Sequence, residues 1–371
     1  MTRPSLKLLL GALSQPESLL HLTMVQWELL LRQARNAEMM ARIAADCKGH
    51  GLMERIAPQP MRHLASAAIL LERQHHELHW EVDQIAQALT PTGVPLVLLK
   101  GAAYAQSRRL AARGRSMTDV DILVPKADLS KVESALMMRG WVSGTQTEYD
   151  QHYYRTWMHE LPPMRHVHRG TVIDIHHAIL PLSARVHPDS ALLLAAAVPI
   201  HPGSAVKCLA PADMLIHSAT HLFHEGEFEH GFRGLVDIDA LVREFAEIPG
   251  FWRDLVPRAV ALELVRPLFY ALRYSQIMLG TPIPQAAMQA LLAAQGAPKP
   301  GLFLTWMDAL FLRALVPTHA TTTVRGTPAA RLLLYLRGHW LRMPPGLLLA
   351  HLTRKLLTRK AKVKEVNLDA P

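Results

Sequence analysis

The chain has 371 residues, of which 50% are hydrophobic, 19% charged and 6% aromatic, and its formal net charge is +9. This composition excludes a disordered chain, and the lack of a Gly-X-Y period or a heptad run excludes a fibre, so we expect two or three packed globular units. The most apolar stretch without charge, residues 190–206, is interrupted by two prolines and a glycine, so we expect no transmembrane span.

The N-terminus and the cysteine content both bear on cellular location. Residues 1–18 superficially resemble a signal peptide, but the apolar run is short and no small-residue cleavage site follows it. The chain has two cysteines, Cys47 and Cys208, which are too few for a disulfide framework or a cysteine zinc site. We therefore expect a protein of the reducing cytoplasm.

Two helical patterns come first along the chain. Leu, Met, Ala and Ile recur at helical spacing over residues 18–47, which predicts one or two amphipathic helices. A second helical stretch covers roughly residues 59–89 and stops at a cluster of Pro and Gly over residues 91–95. We assign residues 1–92 to an N-terminal helical region.

The periodicity then changes. The run VPLVLLKG predicts a short buried strand that ends at Gly101, and AAYAQSRRLAARG predicts a helix that ends at Gly114. TDVDILV predicts a second strand, KADLSKVESALMMRG a helix that ends at Gly140, and TVIDIHHAI a third strand. Strands that alternate with helices indicate an α/β (α+β) unit with a small mixed sheet, and we place it at residues 93–186.

The second half of the chain is mostly helical by the same criterion. We expect a helical domain over residues 187–308 and basic amphipathic helices over residues 309–371. Between Ala309 and Lys364 there are eleven Lys and Arg and no Asp or Glu, which leaves 29 basic against 31 acidic residues elsewhere. Either these terminal helices pack their leucines on the body of the protein, or they bind an anionic lipid surface or nucleic acid.

One pair of acidic residues points to chemistry. Asp119 and Asp121 lie two apart in a predicted strand, so both carboxylates belong to one face. Two carboxylates this close repel each other, and a shared proton or a bound cation relieves the repulsion. Magnesium is the hard cation that takes few protein ligands and fills its shell with water and substrate phosphates. The alternative is that the pair hydrogen-bonds loop amides only.

The surrounding residues favour a phosphate site. In LLKGAA, Gly101 stands at a strand-to-helix turn, where backbone N–H groups attract an anion, and Lys100 supplies a point charge. Arg115 and Ser116 lie on the loop that enters the Asp119 strand and can reach the same anion. A third strand carries Asp174. Three carboxylates on two strands beside a phosphate turn outline a two-metal phosphoryl-transfer site.

The run from LLKGAAYAQ to RSMTDVDILV resembles the signature of the bacterial nucleotidyltransferase-like family of the polymerase-beta superfamily, a group of uncharacterised nucleotidyltransferases. In that family a Leu-Lys-Gly turn precedes an Arg-x-Met-Ser/Thr-Asp-Ile/Val-Asp-x-Leu-Val strand. The downstream VIDIHHAI resembles its Val-Asp-Leu-His strand, and ADMLIHSATHLF with GLVDIDAL resembles its later helices. The resemblance spans most of the chain and is strongest over residues 95–180.

The resemblance implies a role for each matching residue. It implies a nucleotidyltransferase-type sheet core, and a helical domain that closes over the site. Asp119, Asp121 and Asp174 would hold Mg²⁺ or Mn²⁺, and the phosphates of a nucleoside triphosphate would lie against Lys100, Gly101, Arg115 and Ser116. This chain departs from the wider superfamily at one position. The phosphate turn there is usually Gly-Gly or Gly-Ser, whereas Ala102 and Ala103 follow Gly101 here, so no hydroxyl reaches the phosphates from that position.

Several further residues are candidates to line the site: His176, His217, His221 and Asp237. His217 and His221 are four apart on a predicted helix, a spacing that can bind zinc. The His-Glu-x-x-His order is missing, so surface or site-lining histidines are the competing interpretation. For Asp237, a solvent-exposed aspartate near a helix start competes with a residue that faces the nucleotide.

These observations lead to three hypotheses. In the first, the chain transfers a nucleoside monophosphate from a nucleoside triphosphate, with ATP expected, to a hydroxyl of an unknown acceptor, and Asp174 takes the acceptor proton. In the second, it is a catalytically degenerate nucleotide-binding regulator or scaffold. The third is a zinc hydrolase centred on His217 and His221.

Overall fold

A computed structural model describes residues 4–144, 154–344 and 346, and four helices come first. They are α1 (Pro4–Ser14), α2 (Met24–Asn36), α3 (Met40–Gly49) and α4 (Pro58–Leu89). A capping box opens α2, where Thr23 Oγ1 accepts the backbone N–H of Gln26 and the Gln26 side chain accepts that of Thr23. The helical patterns over residues 18–47 and 59–89 are confirmed.

The long helix α4 joins two hydrophobic cores. Near its start Leu64 belongs to the core that α1, α2 and α3 form, together with Phe232 and Val236 from later in the chain. Near its end Val82 and Ile85 belong to the larger core around the sheet. The N-terminal helices therefore pack on the rest of the protein through α4 and through this second contact.

A seven-stranded mixed sheet lies at the centre. Its strands are β1 (Val97–Leu98), β2 (Asp119–Leu123), β3 (Trp141–Ser143), β4 (Met164–His166), β5 (Val172–His176), β6 (Val198–Pro199) and β7 (Lys207–Cys208). The spatial order is β3-β4-β5-β2-β1-β7-β6. Strand β2 runs parallel to β5 and antiparallel to β1, and β1 runs parallel to β7. The predicted fold class, a mixed sheet flanked by helices, is confirmed.

The helix that follows β1 is shorter than the sequence pattern suggests. Helix α5 (Lys100–Gln106) ends early because Arg108 adopts a φ of 54°, which an α-helix does not accommodate. A 3₁₀ turn follows at Leu110–Ala112. Gly114 has the expected positive φ, 71°, and a Cβ there would lie 2.1 Å from the Cα of Arg42. The glycine thus permits close contact with α3 rather than capping a long helix.

Two strands lie beyond residue 186, in a stretch that the sequence pattern indicates as helical. Strands β6 and β7 have two residues each, too few for a readable alternation of side chains. Because β7 pairs with β1, the stretch over residues 187–308 contributes one edge of the sheet as well as helices.

The helices after α5 are α6 (Leu129–Met137), α7 (Ser190–Ala196), α8 (Pro211–His224), α9 (Gly231–Phe245), α10 (Phe251–Ala261), α11 (Val265–Leu279), α12 (Gln285–Ala293), α13 (Leu302–Ala314) and α14 (Thr327–Arg342). Four aromatic rings centre their core, with centroids 5.0 to 6.3 Å apart: Phe223, Tyr270, Tyr274 and Phe311. Edge-to-face and offset contacts of this kind stabilise beyond the area they bury. The second half is mostly helical, as expected.

Helix α14 carries the described part of the basic segment. Arg337 packs over the ring of Tyr270 and donates a hydrogen bond to the carbonyl of Phe223 at 3.0 Å, while Leu334 is fully buried. Five large apolar side chains of α14 are exposed: Leu332, Leu333, Tyr335, Leu336 and Trp340. The rest of the predicted basic helices, from residue 347 onward, lies outside the described residues. Within the described ranges, no helix combines the length and apolar character that crossing a membrane requires.

Candidate functional site

Strands β2 and β5 place three carboxylates on one face of the sheet. Asp121 lies directly opposite Asp174 in the parallel register, and Asp119 is two residues before Asp121 on the same face. The alternate residues of β5, Ile173 and Ile175, are fully buried on the other face. We call Asp119, Asp121 and Asp174 the carboxylate row.

Asp121 is the balanced member of this row. Its Oδ1 accepts hydrogen bonds from Lys100 Nζ at 2.8 Å and from His176 Nε2 at 2.9 Å, and only 4% of the residue is exposed. Burial alone would raise the pKa of Asp121, but the Lys100 charge and the His176 hydrogen bond outweigh it and hold the pKa far below its usual range. Burial acts against the charged form of Lys100 too, and Asp121 more than compensates, so the pKa of Lys100 is raised.

Asp174 is the unbalanced member. Its Oδ1 is buried and has no hydrogen-bond partner within the described chain. Burial raises its pKa to about 7, and the negative charges of Asp121 and Glu160 act in the same direction. A buried carboxylate oxygen without a donor is relieved by a proton or a cation. Asp119 is exposed, so its carboxylate is also open to a cation.

Two of the four residues predicted to bind phosphate line one cavity. Lys100 and Arg115 line a cavity of about 240 Å³, and so does Asp237. Arg115 Nε donates to Asp237 Oδ2 at 2.8 Å, and the Arg115 guanidinium lies over the Tyr104 ring. Burial disfavours the charged form of Arg115, but Asp237 outweighs that effect and raises the pKa. Arg115 therefore reaches the cavity with one of its nitrogens already engaged.

Gly101 and Ser116 take different places from the predicted ones. A Cβ on Gly101 would lie 2.1 Å from Arg115 Nη1 and 2.7 Å from Met117 Cγ. The close approach that this glycine permits is therefore to two side chains of its own chain, whereas the sequence suggested a phosphate. Ser116 is half-buried and is not among the residues that line the cavity. Asp119 borders a separate cavity of about 270 Å³.

Helix α8 supplies the opposite wall. His217 is buried, and burial, followed by the Lys100 charge, lowers its pKa to about 3. His221 is half-exposed, and its Nδ1 lies 2.9 Å from Glu225 Oε2. Burial would raise the pKa of Glu225, but the charge and hydrogen bond of His221 lower it well below its usual range. His221 and Asp237 line the cavity beside Lys100, whereas His217 is not among the residues that line it.

A second polar group lies at the end of β5 and was not predicted from the sequence. His159, Glu160 and His176 each offer a ligand atom within 4.8 Å of the others. Among the described residues, no other set of three His, Cys, Asp or Glu side chains lies this close together. The ligand atoms of the carboxylate row do not all lie within 4.8 Å of one another. In the described part of the chain, His217 and His221 have no third potential ligand within that distance. Burial, followed by the His176 charge, holds the pKa of His159 well below its usual range.

Only one of these missed residues had a visible signal. Glu225 belongs to HSATHLFHEGEFEH, where histidines and glutamates are concentrated. His159 and Glu160 follow a polar segment with no readable period. Their proximity to His176 comes from an isolated bridge between Glu160 and His176, which sequence spacing does not reveal.

The row fits a magnesium ion in two respects. Asp174 Oδ1 lacks a donor and Asp119 is exposed, and magnesium needs only one or two carboxylates besides water and substrate phosphates.

A family model and a solved structure are similar to this chain. A family model described as an uncharacterised nucleotidyltransferase matches residues 23–280. No curated protein matches the chain. Among solved structures, the chain is similar to an antigenic nucleotidyltransferase-like protein from Paracoccidioides brasiliensis, with 13% identity over 60% of this chain and 95% of that one, and a TM-score of 0.31. A TM-score this low lends no support to a shared activity.

Proposed function

Since this chain belongs to the uncharacterised nucleotidyltransferase family, we propose that it transfers a nucleoside monophosphate from a nucleoside triphosphate to a hydroxyl of an acceptor. We propose ATP as the donor and Mg²⁺ or Mn²⁺ as the cofactor. The resemblance over residues 95–180 supports a place among the bacterial members of the polymerase-beta superfamily.

The register between β2 and β5 is the observation that carries this proposal. It puts a balanced carboxylate, Asp121, directly opposite an unbalanced one, Asp174, with the exposed Asp119 on the same face. A site that served only to hold the fold together would satisfy Asp174 Oδ1 with a donor. The row instead retains capacity for a cation.

The proposed reaction is an in-line displacement at the α-phosphorus. The acceptor oxygen forms a bond to that phosphorus, the bond to the β-bridging oxygen breaks, and pyrophosphate leaves. Asp174 is proposed to take the acceptor proton. Asp119, Asp121 and Asp174 would hold the divalent ion, which supplies neutralisation of the triphosphate charge when bound.

Lys100 has two proposed duties. It neutralises Asp121, and it faces the cavity of about 240 Å³, where it can contact the phosphates. Arg115 is proposed to contribute charge to the same cavity while bound to Asp237, and Gly101 contributes by leaving space for Arg115. Asp237, His217 and His221 are proposed to line the acceptor side on α8 and α9, and Ser116 stays a proposed phosphate contact.

Two observations favour the second candidate function, a degenerate nucleotide-binding regulator. Arg115 and Lys100 are both engaged by aspartates of the chain, and no hydroxyl follows Gly101. Such a protein would bind nucleotide without transfer.

The experiment that separates the two incubates the purified chain with labelled ATP, GTP, CTP or UTP, with Mg²⁺ or Mn²⁺ and a cell extract. Transfer produces a labelled acceptor, and Asp119→Ala and Asp121→Ala lose it. The matched control is Asp128→Ala, an aspartate just beyond β2 and outside the row. Nucleotide binding without any labelled product would favour the regulator.

The basic C-terminal segment is the proposed contact to an anionic lipid surface or nucleic acid. The apolar residues exposed on α14 support this proposal. The proposed location is the cytoplasm, and the two cysteines, which are buried and form no disulfide, are consistent with it. Deletion of residues 354–371 removes six basic residues, so salt-dependent binding to vesicles or RNA should weaken. Transfer to a small acceptor should survive, and unfolding of the truncated chain would favour the packing interpretation.

A further inference from the structure

Three side chains beside the carboxylate row converge on one point. Glu160 Oε2 lies 3.3 Å from His176 Nδ1 and 3.9 Å from His159 Nε2. The ligand atoms of all three residues lie within 4.8 Å of one another. Since each metal bond is about 2.0 to 2.2 Å long, atoms spaced in this way can surround a single ion after small movements.

The backbone holds these residues in place. His177 N donates to the His159 carbonyl at 2.8 Å, and Leu161 N donates to the Ile175 carbonyl at 2.9 Å. The segment that carries His159 and Glu160 is therefore bonded along the end of β5, where His176 lies. The juxtaposition is built by backbone hydrogen bonds on both sides of Glu160.

Asp121 fixes the orientation of His176. The Nε2 of His176 lies 2.9 Å from Asp121 Oδ1, which leaves Nδ1 on the side of the ring that faces Glu160. A carboxylate that holds the far nitrogen of a histidine is the usual outer partner of a metal-bound imidazole. Asp121 supplies that partner here.

His159 is buried without a complete set of partners. It is 9% exposed, and its Nδ1 is enclosed with no hydrogen-bond partner within the described chain. Its other nitrogen, Nε2, is directed at Glu160. At 3.9 Å this nitrogen makes no hydrogen bond to Glu160, and the separation leaves space for an ion between the two atoms.

We propose that His159, Glu160 and His176 bind a first-row transition-metal dication, with zinc the expected ion. Two imidazoles and one carboxylate are a donor set that suits zinc and its neighbours in the series, whereas magnesium prefers oxygen ligands alone. With three protein ligands the ion keeps an open position. This site is additional to the proposed magnesium site, because its ligands are not the carboxylate row.

Cobalt titration of the full-length, metal-free chain tests the proposal. Co²⁺ replaces zinc in such sites and gives visible absorption bands that report nitrogen ligation at low coordination number. We expect one equivalent of Co²⁺ to bind, and one equivalent of Zn²⁺ to displace it, in the presence of excess Mg²⁺. His159→Gln and Glu160→Gln should each weaken Co²⁺ binding by at least about tenfold.

The matched control is His168→Gln, which removes an exposed histidine outside the group. It should bind Co²⁺ like the original chain. Glu160 is partly exposed, so Glu160→Gln keeps the test valid if His159→Gln fails to fold. Absence of the cobalt bands, or bands of equal strength in both ligand variants, would overturn the proposal.

The same samples separate this proposal from the proposed function. Stabilisation by ATP is measured in parallel with Mg²⁺ and no cobalt. Loss of the cobalt bands with intact Mg²⁺-ATP stabilisation would refute only the transition-metal site. Intact cobalt bands without Mg²⁺-ATP stabilisation would refute only the proposed nucleotide site.

Discussion

The two walls of the candidate site differ in how their charges are balanced. On the helical wall, Asp237 binds Arg115 and Glu225 binds His221, so these four side chains have partners in the chain. On the sheet wall, Asp121 is balanced by Lys100, but Asp174 Oδ1 has no partner within the described chain. In the proposed function, the unpartnered Asp174 on the sheet wall is therefore the residue that retains capacity for a cation.

The largest effect is expected at Asp121, because this residue both pairs with Lys100 in the fold and is proposed to bind the metal and nucleotide. Asp121→Ala leaves the largely buried Lys100 without its counter-ion, so unfolding free energy should fall by about 3 to 5 kcal/mol and nucleotide binding should be lost. Denaturant titration and calorimetry measure the two effects. Asp119→Ala is the control on the same strand. Because Asp119 is exposed, this variant should lose binding and keep its stability, and equal destabilisation of both would refute the distinction.

A similar loss of stability is expected for the Arg115–Asp237 pair at the helical wall, with no change in Mg²⁺ binding. Arg115→Met removes one partner of a buried ion pair and should cost about 3 kcal/mol or more. The double variant Arg115→Met/Asp237→Leu should cost less than the sum of the single variants, because no unpaired charge remains. The exposed pair Arg73 and Glu77 is the control, and its removal should leave stability nearly unchanged. Additive costs in the buried cycle would show that the pair is not coupled.

Catalysis and binding should separate at Asp174. Asp174→Asn keeps the shape of the side chain and removes its charge and basicity. We expect normal folding, most of the affinity for Mg²⁺ and ATP, and a loss of about 10²-fold or more in transfer. A binding isotherm and a single-turnover assay on the same variant test this, and unchanged transfer would mean that Asp174 is structural.

A smaller effect, on the helical wall, depends on pH. His217 has a folded pKa of about 3 against 6.5 for the exposed residue, so folding favours its neutral form. Its contribution is fully present above pH 6.5 and is lost as pH falls toward 3, by about 2 kcal/mol at pH 5. His217→Gln should therefore lose less stability than the original chain between pH 7 and pH 5 in denaturant titrations. Parallel pH profiles would contradict the buried, neutral assignment.

The strands that carry Asp119, Asp121 and Asp174 could be predicted from the sequence. Alternation in TDVDILV predicts that Asp119 and Asp121 share one face, and the structure places Asp174 directly opposite Asp121. Helix α4 was readable for the same reason, since 32 residues give many repeats of the pattern.

Contacts between distant segments could not be predicted from the sequence. The spacing of residues does not predict that Arg115 packs against Gly101 and binds Asp237, which is 122 residues away. The approach of His159 and Glu160 to His176 depends on one isolated bridge, and β6 and β7 are too short to show a pattern. Sequence periodicity reports which face a residue occupies, whereas partner choice on that face is decided by tertiary packing.

The most direct test of the account is the stabilisation that nucleotide gives with and without magnesium. Because a ligand stabilises by binding the folded state, ATP should raise the melting temperature far more with Mg²⁺ than with a chelator present. Asp174→Asn should retain most of the Mg²⁺-dependent shift, and Asp121→Ala should lose it. Equal shifts with magnesium and with chelator would contradict the claim that the carboxylate row holds a metal-bound nucleotide.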